Sequence, residues 1–535
     1  MRAFADLLNR LLVTRGRTEK LALIVRFLKE EPDPDRGWML AALTGGLSFS
    51  AVKSALVRGV MAERVDPILW SLSRDYVGDT AETASLLWPE PMAPVAPPPS
   101  LSEAVETMMR LTRISAPKGL AGLLDRLDVD GRYALLKLAL GALRVGVSGR
   151  LAKLAFSNAF GVAVEDVEEL WHADEPPYTR LFAWAVRGGP PPDAGNVPLF
   201  RPFMLAHPLE GPALAVVETD FSQYVAEWKW DGIRVQLVRA GGETRLYSRG
   251  GDEISNAFPE IATAFDVSCV LDGELLVRGE AQGGEDGGAA SFNALQQRLG
   301  RKTVTRRMLE EAPAFVRLYD ILSLDGVDLR GEPWSHRRGV LESLMPTLSP
   351  ARFDLSTLIT ARDFADLAEI RAGARDAAIE GVMLKRRDSP YVGGRKAGLW
   401  YKWKRDPLVA DCVLMYAQRG SGKRSSFYSD FTFGCWTGDP DQGADLLPVG
   451  KAYFGFTDAE LKWLDAFVRK HTINRFGPVR EVERRLVLEI GFDSIHLSKR
   501  HKSGVAMRFP RILRIRTDKP ADEADRLDTL KAMVT

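Results

Sequence analysis

The sequence predicts a multidomain chain with an all-α first third, an α+β middle and a small all-β domain at its end. Four observations predict it. At 535 residues the chain exceeds what one hydrophobic core fills, and at about one domain per 100–200 residues it holds three or so. Up to about residue 186 the apolar residues recur at helical spacing, in LNRLLVTRG, TEKLALIVRFLKEE and RYALLKLALGALRVG. After the glycine- and proline-rich break RGGPPPDAGN (187–196) come short β-rich runs, IRVQLVRA, TRLYSRG and CVLDGELLV. Past Lys404, DCVLMYAQRG, FTFGCWTG and RLVLEIGF suggest a small barrel. The expected domains are therefore 1–190, 197–404 and 405–535.

Within the first domain, Ser100 followed by Glu103 reads as a capping box that opens the helix SEAVETMMRLTRI. The proline-rich WPEPMAPVAPPPS (88–100) reads as a loop, because proline cannot donate the bonds a helix needs. In the middle domain the glycine-rich, acidic RGEAQGGEDGGAA (278–290) reads as a mobile surface loop.

Composition narrows the function. With 45% hydrophobic residues each domain can bury a core, while 72 Lys+Arg against 71 Asp+Glu leave a formal charge of +1. Any basic surface must then be local. Cys269, Cys412 and Cys435 form no CxxC pair, which argues against a disulfide framework and a structural zinc site and fits a reducing cytoplasm. The start MRAFADLLNRLLVTRGRTEK is interrupted by Arg10 and Arg15 and reads as an amphipathic helix, not a signal peptide. No run of 18 apolar residues exists, so no membrane span is expected.

The segment Glu227-Trp228-Lys229-Trp230-Asp231-Gly232-Ile233-Arg234 sets a lysine in a K-x-D-G-x-R context. At an ordinary pKa of about 10.4, roughly one lysine in 2,500 is neutral at pH 7, so a nucleophilic lysine needs desolvation or neighbouring cations. Trp228, Trp230 and Arg234 are the expected sources, and Asp231 is expected to orient the side chain. An isolated K-x-D-G is more often an ordinary strand lysine. Here it is followed in order by LYSRGG (246–251), LDGELL (271–276), FVRLYDIL (315–322), EGVMLK (380–385), WYKWK (400–404) and RIRTDK (514–519).

In this order the motifs resemble those of the nucleotidyltransferase superfamily of ATP-dependent DNA ligases, RNA ligases and mRNA capping enzymes. Over nearly the whole chain the resemblance is to ATP-dependent DNA ligases of the bacterial multidomain type. It implies a helical DNA-binding domain, a nucleotidyltransferase (adenylation) domain and an OB-fold. ALGALRVGVSGRLAKLAF (139–156), with Arg144 and Arg150, is similar to that family's helix-turn-helix repeat that grips the minor groove.

The resemblance further implies ATP and Mg²⁺ as cofactors and nicked duplex DNA as partner. Lys229 would carry AMP, Glu227 would accept the adenine amine, and Tyr319 would stack on the base, with Phe315 a competing assignment. Arg234 and Arg249 match residues at the nucleotide and the DNA 5′-phosphate. Lys402 and Lys404 match a pair near the α-phosphate. A basic position six residues before Lys402 is Lys396, with Arg395 beside it as the favoured residue. Glu274 and Glu380 match metal-associated acids. Arg516 and Lys519, with Arg514 and Asp518, belong to the motif that orients departing pyrophosphate. QRGSGKRSS (418–426) and LSKRHKSG (497–504) are either phosphate contacts or solvated charge.

An RNA ligase or guanylyltransferase shares K-x-D-G, but the large helical domain and the RFPRILRIRTDK ending weigh against it. An NAD⁺-dependent ligase would need a four-cysteine zinc site that three cysteines cannot build. A catalytically dead DNA-binding scaffold has no need of Lys229, Glu274, Glu380 and Lys402 together. The expected protein is a monomeric ligase of the cytoplasm, associated with the nucleoid, with no protein partner readable from the sequence.

Overall fold

The structure, a computed structural model, describes residues 1–14, 16–91, 95–141, 143–191, 197–278, 295, 298, 304–374, 379–419, 427–498 and 501–534. Residues 279–290 of the glycine-rich insertion, 192–196 of the break, 92–94 of the proline-rich loop, and 420–426 and 499–500 of the two basic stretches lie outside them. Contacts group the described residues into two compact units. One comprises Met1–Val162, Glu175–Arg187 and Pro407–Thr535, the other Ala163–Asp174 and Gly188–Asp406.

In the first unit, helices run from Arg2–Val13 to Thr179–Arg187. Each hides one stripe: Arg2–Val13 buries Phe4, Leu7, Leu8 and Leu11, and Leu101–Arg110 buries Leu101, Val105 and Met108. Burial of each such large side chain contributes about 2 kcal/mol. Asp79, Asp128 and Ser148 each accept a backbone N–H at a helix start. Ser100 does the same for Glu103 at 3.0 Å. The expected capping box there is half formed, because the Glu103 carboxylate turns to Arg126 at 2.6 Å. A guanidinium is the stronger partner for a carboxylate than a backbone amide. A complete box occurs instead at Thr457 and Glu460, opening Asp458–Lys470. Val129–Ala139 and Gly149–Phe160 flank the turn around Val145, whose carbonyl accepts from buried Lys20 at 2.5 Å.

The carboxyl-terminal part of this unit is an antiparallel seven-stranded sheet. Its strands are β8 (Leu408–Arg419), β9 (Tyr428–Trp436), β10 (Leu446–Ala452), β11 (Thr472–Phe476), β12 (Val479–Val482), β13 (Val487–Phe492) and β14 (Arg511–Arg516). The order is β10-β9-β8-β12-β11, and β13 bridges β8 and β14. Cys412, Leu414, Phe431, Phe433, Leu464, Leu488, Ile490 and Ile512 fill its interior. Period-two alternation puts the strand residues among them on one face, and Leu464 reaches them from the helix Asp458–Lys470.

The second unit holds two large sheets and, among the described residues, a two-stranded parallel pair of Met204–Leu205 with Gly394–Arg395. Its strands are β1 (Tyr224–Trp230), β2 (Ile233–Ala240), β3 (Glu243–Ser248), β4 (Cys269–Val277), β5 (Ala314–Leu324), β6 (Ile379–Arg386) and β7 (Trp400–Lys404). One sheet runs Leu358–Ile359, β1, β6, β7, His207–Pro208, and the other β3, β2, β4, β5, Val327–Asp328, with Phe353–Leu355 parallel to β5. The chain passes from the first sheet to the second between β1 and β2, at Asp231-Gly232. A Cβ on Gly232 would lie 2.5 Å from the Leu275 carbonyl oxygen and 2.8 Å from Glu274 Cγ. Only glycine lets the crossing approach β4 this closely.

The short helical segment Ala163–Asp174 packs with this unit, although it precedes the 187–196 break. Glu169 pairs with Arg201 at 2.9 Å and with Arg330, and His172 lies against the Phe200 and Tyr247 rings. All three cysteines are free and buried. Among the described residues no helix is long and apolar enough to cross a membrane.

Candidate active site

Alternation along β1 decides what surrounds Lys229. Tyr224, Ala226, Trp228 and Trp230 point into apolar clusters, whereas Glu227 and Lys229 share the opposite face. The expectation that the two tryptophans desolvate the lysine is therefore corrected. Trp230 packs with Leu276, Phe315 and Ile379, and the Arg317 guanidinium lies 4.1 Å from its ring centroid. The ammonium of Lys229 instead donates to Glu380 Oε2, and Lys404 Nζ lies 3.6 Å from the same oxygen.

A bulge aims Glu380 at these lysines. Ile379 pairs with Trp230 and Gly381 with Lys229, so Glu380 is the extra residue on β6. Gly381 also faces Lys404 on β7. Its φ is 149°, and a Cβ would meet the Trp403 carbonyl oxygen at 2.3 Å. A side chain there would push apart the strands that carry the two lysines.

Lys402 collects the remaining cations. Burial, then Arg395, Lys229, Lys404 and Arg249 in decreasing order, hold its ammonium below the ordinary lysine range. Repulsion of this kind is relieved by an anion, and a phosphate group is the obvious one. Of the two neighbouring basic residues, Arg395 is the leading charge acting on Lys402.

Glu274, on β4 opposite Arg234 and Arg317, faces the same cations. Burial pushes its carboxyl up to about 7, against the pull of Lys229 and Arg234 and with a further push from Glu380 and Asp272. Glu274 makes no ion pair among the described residues. Those residues also hold no group of three or more His, Cys, Asp or Glu able to hold a metal. Two carboxylates beside a phosphate-sized cationic patch do fit Mg²⁺, which takes one or two carboxylates and completes its shell with phosphate oxygens and water.

The raised Glu274 carboxyl has a measurable consequence. Between its ordinary value of 4.5 and about 7 the folded protein holds a proton that the unfolded chain releases. Stability therefore falls as pH rises through that window. Glu274→Gln removes this loss, so its melting temperature without ligands should exceed wild type at pH 8, by about 1–3 kcal/mol of stability, with the gain vanishing near pH 4.5. Equal differences at pH 5 and pH 8 would show that the carboxyl is not raised.

Arg234 is engaged more completely than expected. It grips Asp272 through Nε (3.1 Å) and Nη2 (2.6 Å), donates to the Met204 carbonyl (2.7 Å), and lies 4.4 Å from the Phe203 ring. Tyr391 donates to Asp272 at 2.6 Å. Burial opposes the guanidinium charge most strongly, but Asp272, Tyr319 and Tyr391 together hold Arg234 well above its usual value.

Glu227 meets Lys385 at 3.0 Å, with 2% of each side chain exposed. Lys385 Nζ lies 4.5 Å from the Tyr319 ring centroid. Tyr319 is half-buried, whereas Phe315 is wholly buried in the cluster with Trp230. Only the tyrosine borders the Glu227 face. Behind it, Asp320 and Arg337 form a bidentate, fully buried pair at 2.8 and 2.9 Å that anchors β5 to the helix Trp334–Leu344.

Arg516 and Lys519 belong to the other compact unit. Arg516 meets Asp411 (3.1 Å), Asp518 (2.9 Å) and Glu489 (3.7 Å), and Lys519 meets the same Asp411 at 2.8 Å. Asp411, Lys385, Asp272 and Tyr391 were missed by sequence reasoning. Asp272 and Lys385 carried a signal, a charge inside an apolar strand run, while Asp411 and Tyr391 carried none.

Family models match residues 203–404 as ATP dependent DNA ligase domain and 424–519 as ATP dependent DNA ligase C terminal region. The chain is 30% identical to a probable DNA ligase of Koribacter versatilis, over 99% of this chain and 95% of that protein. It is 28% identical to DNA ligase 1 of Korarchaeum cryptofilum, over 99% and 97% of the two chains. A solved structure named Pmar-Lig_PreS3 shares the fold, at a TM-score of 0.59 and 16% identity over 96% of this chain and 99% of that one. A cationic patch around a strand lysine, two carboxylates beside it and near full-length relatives named DNA ligase lead to one assignment: the chain belongs to the ATP-dependent DNA ligase family, enzymes that use ATP and Mg²⁺ to seal nicks in DNA.

Proposed function

We propose that Lys229 is the residue that receives AMP. The observation that carries this is the placement of its ammonium against Glu380 among Lys402, Lys404, Arg395 and Arg249. The proton leaves Nζ toward Glu380 Oε2, its hydrogen-bond acceptor, and the freed lone pair attacks the α-phosphorus of ATP. The bond from that phosphorus to the bridging oxygen breaks, and pyrophosphate leaves. AMP then passes to the 5′-phosphate of a nick, and the adjacent 3′-hydroxyl displaces it to close the strand.

The cations do most of the remaining work by holding phosphate charge in place. Lys402, Lys404 and Arg395 neutralise the α-phosphate, and Arg249 serves the nucleotide or the DNA 5′-phosphate. Arg234, locked by Asp272, presents its remaining donor capacity to the nucleotide. Glu227 accepts the adenine amine and Tyr319 stacks on the ring. Glu274 and Glu380 would hold Mg²⁺, which neutralises charge on the phosphates. Arg516 and Lys519 serve the departing pyrophosphate.

Incubation with α-labelled ATP followed by denaturing electrophoresis tests the reading: label should stay on the protein and chase into DNA when a nicked duplex is added. Label that never becomes covalent would overturn it.

The helical part of the first unit is assigned to duplex DNA binding, in a chain that acts as a monomer at the nucleoid. Supporting this are Arg144, between the helices Val129–Ala139 and Gly149–Phe160, and Arg150, in the first turn of the second. Arg144→Ala/Arg150→Ala should weaken nick binding, lower the slope of log K against log salt by about 2, and leave self-adenylation unchanged. An unchanged slope would remove these arginines from the DNA interface.

A further inference from the structure

The pair formed by Glu227 and Lys385 is as deeply buried as any ion pair of the second unit outside Asp320–Arg337. On adjacent strands Met383 faces Glu227 and Lys385 faces Val225, so the two side chains meet diagonally. The ammonium is held on three further sides. It lies 4.5 Å from the Tyr319 ring centroid, 4.6 Å from that of Trp400, and 3.5 Å from the Tyr319 carbonyl oxygen. It therefore joins β6 of one sheet to β5 of the other, directly behind the ring assigned to the base.

A buried pair of this kind is a poor device for stability alone, since apolar side chains of similar volume serve as well or better. What apolar side chains cannot do is present an oxygen that only accepts hydrogen bonds. We propose that Lys385 is a positioning residue for base specificity, holding Glu227 as an oriented carboxylate so that the site takes adenine and rejects guanine. The inference rests on the reading that Glu227 and Tyr319 receive the base. Lys385 Nζ lies 3.0 Å from Oε1, an ion pair that leaves the carboxylate with acceptor capacity for the base N–H. A carboxylate has no proton to give. Adenine offers it an exocyclic amine, whereas guanine and hypoxanthine offer a carbonyl oxygen, so two acceptors face each other with nothing between them. A buried polar group matched to one partner rejects a partner that cannot complete its hydrogen bonds. Without the lysine, the carboxylate loses the contact that orients it and keeps it in the site.

Single-turnover labelling of the full chain with α-labelled ATP, GTP and ITP reads this directly. Lys385→Met and Lys385→Gln should lower the ATP-to-GTP ratio of transfer efficiency at least about tenfold, and Lys385→Arg should keep the ratio within about threefold of wild type. Lys385→Gln is shorter and uncharged, so it gives up the ion pair while avoiding an apolar side chain against a buried charge, and it carries the comparison if Lys385→Met melts before assay. Losses that are equal for ATP and GTP, with the ratio preserved, would mean the pair is only structural and overturn the inference. Glu227→Gln, whose amide both donates and accepts, should relax the ratio by itself. If it does not, Glu227 does not face the base, and the underlying reading fails whatever Lys385 does.

Discussion

Lys229→Ala is expected to abolish self-adenylation, by roughly 10⁵-fold or more, and with it the sealing of an ordinary nick. No neighbour can substitute. Lys404 lies 3.6 Å from Glu380 Oε2, but it enters from β7 on the other side of Gly381. The same contact means that the substitution does not strand Glu380 as an unpaired buried charge, so the fold should survive. Binding of nicked duplex should be unchanged, and a nick that already carries AMP should be sealed within about tenfold of the wild-type rate, because that step needs the phosphate-holding cations and not the nucleophile. Label retained on Lys229→Ala would take this lysine out of its assigned role. Loss of pre-adenylated nick sealing to the same extent as adenylation would show that the lysine serves every step.

The second large effect is expected from Arg516→Ala/Lys519→Ala. Adenylation should slow by about 10²–10³-fold through lost stabilisation of charge on the departing pyrophosphate, with pre-adenylated nick sealing within a few-fold of wild type. Both cations are held by Asp411, a largely buried carboxylate that the double substitution would leave unpaired. The variant is therefore best compared with Arg516→Ala/Lys519→Ala/Asp411→Asn, which removes that charge. If the triple variant melts like wild type yet adenylates as slowly as the double, the loss is chemical and not a weakened barrel. Equal losses in adenylation and in pre-adenylated sealing would assign these residues to DNA. Wild-type rates in both would leave them as surface charge.

Much of the site was legible because catalytic motifs are local. LDGELL, EGVMLK and WYKWK each sit on one strand and K-x-D-G spans the end of β1 and the crossing to β2, so their residue types survive in the linear order. The strand character of these runs was equally readable, since alternation and glycine boundaries are short-range features. Face and register were not. Trp228 and Trp230 flank Lys229 in sequence but lie on the opposite side of β1, since each step along a strand turns the side chain over. The Ser100 capping box went astray for a related reason. Its glutamate is captured by Arg126, 23 residues away, and sequence spacing records no such competitor.

By itself the sequence determined the division into helical and β-rich parts and the order of the motifs that carry the proposed nucleophile Lys229 and the acids and cations around it. These follow from composition, periodicity and motif order, all properties of neighbouring residues. Only the tertiary structure decided which of those residues meet. The bulge at Glu380 sets one carboxylate on Lys229, 151 positions earlier in the chain. Burial between two sheets raises Glu274 to about 7, and Phe315 is lost to the core while Tyr319 stays at the site. Lys385 and Asp411 acquire their meaning from partners that lie on other strands. The physical reason is common to all of these: charge and burial act through space, over a few ångströms, and the pairing of distant strands alone brings those groups within range.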